Sequence, residues 1–245
     1  MARTVNILIN LMEKLPEKTQ RGIILKILNT SIKYYASLKV KNQNNLVERK
    51  GKPTIYIANH LSNMDGPVLN YFLQDYDVAF IAGVKLKKVK TTRLIMQALN
   101  TIEIKPGTPD MKAIKEALKH LKSGGSLVIF PEGTRSRLSK MNKALKGFVL
   151  LAKMSGASIL PIGLAGTEKL LPINDSGMGK ESLHKADVLV SFGEPFTLPK
   201  KSKVDVTDFN QYIADYCMLQ IAKNLPESYQ GYYKDFNEEE LPTLQ

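Results

Sequence analysis

The chain has 245 residues, 43% of them hydrophobic, a net charge of +12 and a single cysteine. That length and composition support one large core, or one domain with an appended segment, and exclude global disorder. A lone Cys217 excludes an internal disulfide and a cysteine-based metal site, as suits a reducing compartment.

The charge is uneven. Residues 1–52 carry eleven Lys and Arg against three acids, a net +8. Lys85, Lys87, Lys88, Lys90 and Arg93 form a second cluster. Such surfaces attract nucleic acid, anionic membrane or phosphorylated ligands, and charge alone does not choose among them.

In chain order, residues 4–15 and 22–40 read as two basic helices parted by Pro16. Ile24, Ile27, Leu28, Tyr35 and Leu38 recur at helical spacing in the second. The apolar run Val5–Met12 is broken by Asn6 and Asn10 and reads as neither signal peptide nor span. No stretch reaches the roughly 18–20 apolar residues of a spanning helix. Residues 41–52 read as a polar linker.

From residue 53 short apolar runs alternate with helical patterns. The strands expected are Thr54–Ala58, Val78–Ala82, Ile102–Lys105, Ser126–Phe130, Ile159–Leu164 and Val188–Phe192. Helices are expected at 67–74, 86–99, 109–122 and 144–154, with Gly124, Gly125 and Gly156 at their ends. Residues 165–187 read as a loop, 206–224 as a last amphipathic helix, and the acidic run Glu238–Glu240 as a frayed end. The alternation predicts an α/β fold, a mixed and mostly parallel-type sheet flanked by helices. The expected division is an N-terminal basic helical segment, 1–45, and an α/β domain, 46–245.

Two charged motifs follow expected strands. In Asn59-His60-Leu61-Ser62-Asn63-Met64-Asp65 a candidate base and a candidate carboxylate stand five residues apart. On one helix they would lie about 140° apart, but a strand-turn-helix corner starting at Pro67 can fold them together. Asp65 would then accept from one imidazole nitrogen and leave the other as base. The alternative is a helix-capping Asp65 beside an ordinary loop histidine. Phe130-Pro131-Glu132-Gly133-Thr134-Arg135-Ser136 is the second motif. Gly133 permits close backbone approach, and Arg135 can grip phosphate through two parallel hydrogen bonds. The alternative there is a turn in which Glu132 and Arg135 pair with each other.

Together the motifs resemble the 1-acylglycerol-3-phosphate acyltransferase family. Asn59, His60 and Asp65 match its Asn-His-x4-Asp, and residues 130–136 match its Phe-Pro-Glu-Gly-Thr-Arg-Ser. Lys146-Gly147 and Ile159-Leu160-Pro161-Ile162 match later blocks. The resemblance covers roughly residues 50–195. Two positions depart: Lys105 stands where the family carries arginine, and lysine after the second strand comes only at Lys85.

The resemblance implies acyl transfer from acyl-CoA or acyl-carrier protein to the sn-2 hydroxyl of a lysophospholipid, lysophosphatidic acid first. His60 would be the base and Asp65 its orienting partner. Arg135, with Lys105 and backbone near Gly133 and Thr134, would hold the phosphate. Glu132 would bind a glycerol hydroxyl or pair with Arg135. Another acceptor, such as glycerol 3-phosphate or another lysophospholipid, and a non-enzymatic basic nucleic-acid- or lipid-binding protein remain alternatives. No cofactor or metal is expected. No acyl-enzyme is expected either, since there is no Gly-x-Ser-x-Gly elbow and Cys217 falls in an amphipathic helix. His120 and His184 read as isolated surface residues. The N-terminal helices imply a monotopic hold on anionic lipid at the cytoplasmic face of the membrane. No nucleic-acid partner is expected, because the aromatic-glycine motifs of RNA-binding sheets are missing.

Overall fold

The computed structural model describes residues 12–84, 89–105, 110–174, 181–198 and 208–236. In chain order the elements are α1 (Glu17–Tyr35), β1 (Ala36–Lys41), α2 (Gln43–Val47), β2 (Thr54–Ala58), α3 (Asp65–Leu73) and β3 (Val78–Gly83). Next come α4 (Lys90–Ala98), β4 (Thr101–Ile104), α5 (Met111–Lys122), β5 (Ser126–Ile129) and α6 (Gly147–Ser155). The last are β6 (Ser158–Ala165), α7 (Thr167–Leu170), β7 (Ala186–Phe192) and α8 (Phe209–Ala222).

One sheet of seven strands, in the order β1-β7-β6-β2-β5-β3-β4, organises the molecule. Every neighbouring pair is parallel except β6 with β7. This is the mixed, mostly parallel sheet expected. β2 is buried at all five positions, which is why it reads as a continuous apolar run rather than an alternating one. Its side chains still part by face. Ile55 and Ile57 pack into one core with α5, α6 and α8, while Tyr56 and Ala58 pack into the other with α1 and α3. Helices therefore cover both faces.

Pro161 sits within β6, where a missing N–H would normally break a ladder. Here β7 pulls away: the Gly193 amide donates to Pro161 O, and the next bond is Ile159 N to Phe196 O. The proline thus lies beside a bulge, where the ladder skips a bond.

The structure corrects three expectations. The second helix ends at Tyr35, not residue 40, and Ala36–Lys41 is the sheet's edge strand, parallel to β7 from Ala36↔Ala186 to Lys41↔Ser191. Its partner lies far along the sequence, so no local period could reveal it. The linker 41–52 contains α2, and the loop 165–187 opens with α7. The first expected helix lies largely on residues 1–11, outside the described residues, as do Lys85 and Glu238–Glu240.

Candidate active site

Both motifs leave the sheet at the carboxyl ends of adjacent parallel strands. β2 and β5 pair with Ile57 opposite Ile129, an offset of 72 residues that also sets His60 opposite Glu132. The first motif begins where the β2 ladder stops. There the Asn59 side chain replaces a peptide unit, donating to Leu164 O and accepting from Leu164 N, both at 2.8 Å. This ties the strand end to β6 and turns the chain out at His60.

Asp65, the first residue of α3, folds back over the turn. Its Oδ2 accepts from His60 Nδ1 at 2.7 Å, from Leu61 N at 2.6 Å and from Ser62 N at 2.8 Å. The carboxylate is fully buried at the N-terminus of α3. A carboxylate only accepts, so in the neutral imidazole Nδ1 carries the proton and Nε2 the lone pair. The ring also stacks on Phe130, centroids 4.2 Å apart and planes 17° apart. His60 thus has its tautomer and its ring plane held by different residues, and its side chain keeps 21% of its surface open.

The second motif holds the backbone of the first. Glu132 Oε1 accepts from His60 N and Oε2 from Asn142 N, both at 2.9 Å. Ser136 N donates to His60 O at 2.7 Å. The peptide units on either side of His60 are therefore gripped by one loop. Burial pushes the Glu132 carboxyl up to about 7, with the Asp65 charge adding to it, against the lowering effect of its two amide bonds. Gly133 turns at φ +69°, closing a bond from its amide to Phe130 O, and an added Cβ would meet Leu145 Cδ1 at 2.5 Å. Thr134 is exposed on the same loop.

Arg135 does not pair with Glu132. Its Nη1 lies 3.5 Å from Glu181 Oε1, and the two side chains are only 18% and 4% exposed. Glu181 Oε1 also accepts from Asn63 Nδ2 at 3.0 Å. Lys105 follows β4, on the same edge of the sheet but two strands over from β5, roughly 10 Å away. Its side chain is exposed and its amide donates to Asp110 Oδ2 at 3.1 Å. His60, Asp65, Glu132, Gly133, Thr134 and Arg135 are thus brought together, with Lys105 at their margin.

Three contributors escaped the sequence reading. Phe130 and Asn142 lie in or beside the second motif, but stacking and an amide bond leave no pattern. Glu181 stands in a segment without period, and no sequence signal pointed to it. Away from the site, Cys217 is fully buried in α8, and burial raises its thiol pKa, which makes it inert as a nucleophile. Among the described residues no group of three His, Cys, Asp or Glu is placed to hold a metal.

The chain matches the Acyltransferase family over residues 37–165. It is 29% identical over 145 residues to the chloroplastic 1-acyl-sn-glycerol-3-phosphate acyltransferase BAT2 of Brassica napus, a match covering 58% of this chain and 40% of that one. It is 26% identical over 158 residues to the 1-acyl-sn-glycerol-3-phosphate acyltransferase of Bacillus subtilis, covering 64% of this chain and 73% of that one. The chain spans about two fifths of the length of the chloroplastic relatives from Brassica napus and Arabidopsis thaliana. The crystal structure of the acyltransferase PlsC from Thermotoga maritima superposes with a TM-score of 0.61 at 24% identity, over 90% of this chain and 88% of that one, which shows a shared fold.

Proposed function

This chain belongs to the Acyltransferase family, and from that premise we propose that it acylates the sn-2 hydroxyl of 1-acyl-sn-glycerol 3-phosphate, giving phosphatidic acid. The donor is a thioester, acyl-CoA or acyl-carrier protein. The names of its relatives support this acceptor. The observation that carries the chemistry is the His60–Asp65 pair, 2.7 Å apart, with Nε2 left as the basic nitrogen.

Nε2 removes the proton from the sn-2 hydroxyl as its oxygen attacks the thioester carbonyl. Asp65 stabilises the imidazolium. The tetrahedral intermediate collapses with cleavage of the carbon–sulfur bond, and His60 returns its proton to the leaving thiolate. General base catalysis of this kind contributes on the order of 10²–10⁴-fold. Arg135 receives the phosphate, with Lys105 at the margin of the headgroup. Glu132 holds the His60 and Asn142 amides together and so positions the base. No acyl-enzyme is needed. The Ser62 hydroxyl donates to Leu171 O at 2.8 Å, and the Cys217 thiol is buried.

The acceptor's acyl chain lies in a bilayer, so the enzyme works at a membrane surface. Helix α1 supports this. Ile24 and Ile32 face the body, while Ile23, Ile27 and Tyr34 are 36%, 55% and 66% exposed. These three lie within roughly 40° of one another around the helix, with Lys26 and Lys33 along one flank. An apolar stripe edged by lysine suits insertion at the level of anionic headgroups. No described helix is long and apolar enough to cross a membrane.

The test is purified protein with a fatty acyl thioester and a panel of lyso acceptors, products identified by mass. Wild-type protein should form phosphatidic acid, and His60→Ala should lose at least about 10³-fold in kcat without losing its fold. Wild-type inactivity on 1-acyl-sn-glycerol 3-phosphate with both donors would overturn the assignment.

A further inference from the structure

Glu181 belongs to neither motif, yet it is the anion that meets Arg135. Its side chain is 4% exposed, and a carboxylate is buried to that extent only against a partner. Two of its partners belong to the site. Oε1 accepts from Asn63 Nδ2 in the first motif at 3.0 Å and faces Arg135 Nη1 in the second at 3.5 Å.

The contact with arginine is incomplete. Charge-assisted N–H···O bonds run at about 2.7–2.9 Å, and arginine normally engages a carboxylate through two of them. Here Nη1 is buried with no hydrogen-bond acceptor among the described residues. A buried donor left unmet is costly, so this guanidinium keeps unspent binding capacity. The carboxylate balances the charge without satisfying the hydrogen bonds. A phosphate monoester, with three terminal oxygens and a charge between about −1.5 and −2, supplies both.

We propose that Glu181 is a placeholder anion, whose position against Arg135 the acceptor's phosphate takes over on binding, and that this exchange selects phosphate monoesters over phosphodiesters. A diester carries one negative charge, no more than the carboxylate it must displace. A monoester carries more and offers one more terminal oxygen. An uncharged headgroup cannot make the exchange, and Arg135 then stays with Glu181. This rests on the reading of Arg135 as the phosphate site of an acyltransferase.

The test begins with inorganic phosphate, which needs no turnover, titrated calorimetrically into wild-type protein and Glu181→Gln. The variant should bind phosphate about tenfold more tightly, the worth of one contested charge-assisted contact. In turnover, KM for 1-acyl-sn-glycerol 3-phosphate should fall by a similar factor, with kcat and the donor KM within about twofold. The preference for that acceptor over lysophosphatidylglycerol, a phosphodiester, should narrow by about tenfold. Asn63→Ala, which removes the Asn63 hydrogen bond to Glu181, should also tighten phosphate binding and serves if Glu181→Gln does not fold. Weaker or unchanged phosphate binding in the variants would mean that Glu181 positions Arg135 instead, and would overturn the proposal. Absence of acyl transfer with tighter phosphate binding would leave the anion exchange standing and remove the acyltransferase reading.

Discussion

Replacing Asp65 with asparagine separates its two tasks. Oδ2 receives three N–H groups within 2.8 Å, while Oδ1 is buried without a hydrogen-bond partner among the described residues. An asparagine that keeps its carbonyl at the Oδ2 position puts an NH2 group where Oδ1 was, with nothing to receive it. That costs about 1–3 kcal/mol of stability. The flipped rotamer sets the NH2 against the Leu61 and Ser62 amides and drives the His60 proton to Nε2, which then cannot act as base. In either rotamer the imidazolium loses its carboxylate, worth about 4 kcal/mol for charges near 4 Å apart at an effective dielectric near 20. The expected result is a kcat lower by about 10³-fold, with KM for both substrates within about threefold. Steady-state kinetics with saturating donor would show this, beside a thermal melt and a near-ultraviolet spectrum to establish the fold. A folded Asp65→Asn protein with kcat within tenfold of wild type would refute the role of Asp65 in orienting and stabilising His60.

Two further outcomes are expected. The Glu132 carboxyl is raised from 4.5 to about 7 by burial, so the folded state binds more protons than the unfolded state between those values. Its contribution is fully present below pH 4.5 and is lost as pH rises through 7, about 3 kcal/mol by linkage. Denaturant unfolding across pH 4.5–7.5 should show wild-type protein losing that much relative to Glu132→Gln; parallel curves would rule the linkage out. Ile23 and Ile27 present exposed side chains on α1, each worth about 1.5–3 kcal/mol when fully removed from water. The double change to serine should cut binding to anionic lipid vesicles by at least about tenfold in a sedimentation assay, with the melting temperature unchanged; equal binding would move the membrane contact elsewhere.

Much of the fold follows from patterns that span only a few residues. The buried runs of β2 and β5, the amphipathic period of α5 and the glycine at φ +61° after α6 each announce an element locally. β1 does not. Ala36–Lys41 continues the apolar spacing of α1, and only β7, some 150 residues away, makes it a strand. The same division runs through the site. His60, Asp65, Glu132 and Arg135 were legible because the two motifs are dense in chemical groups and each follows a strand. The pairing of Asp65 with the imidazole was expected, but the partners of Glu132 and Arg135 were not legible. Glu132 holds the backbone of His60, and Glu181 meets Arg135.

The sequence by itself determined the residue types, the strand-then-motif order and the family they resemble, because those features are carried within short stretches of chain. The tertiary structure decided the partnerships. The parallel register of β2 and β5 carries Glu132 to His60, and the return of the chain before β7 brings Glu181 to Arg135. Hydrogen bonds and ion pairs act over about 3 Å, and residues separated by tens of positions reach that range only once the sheet has set its register.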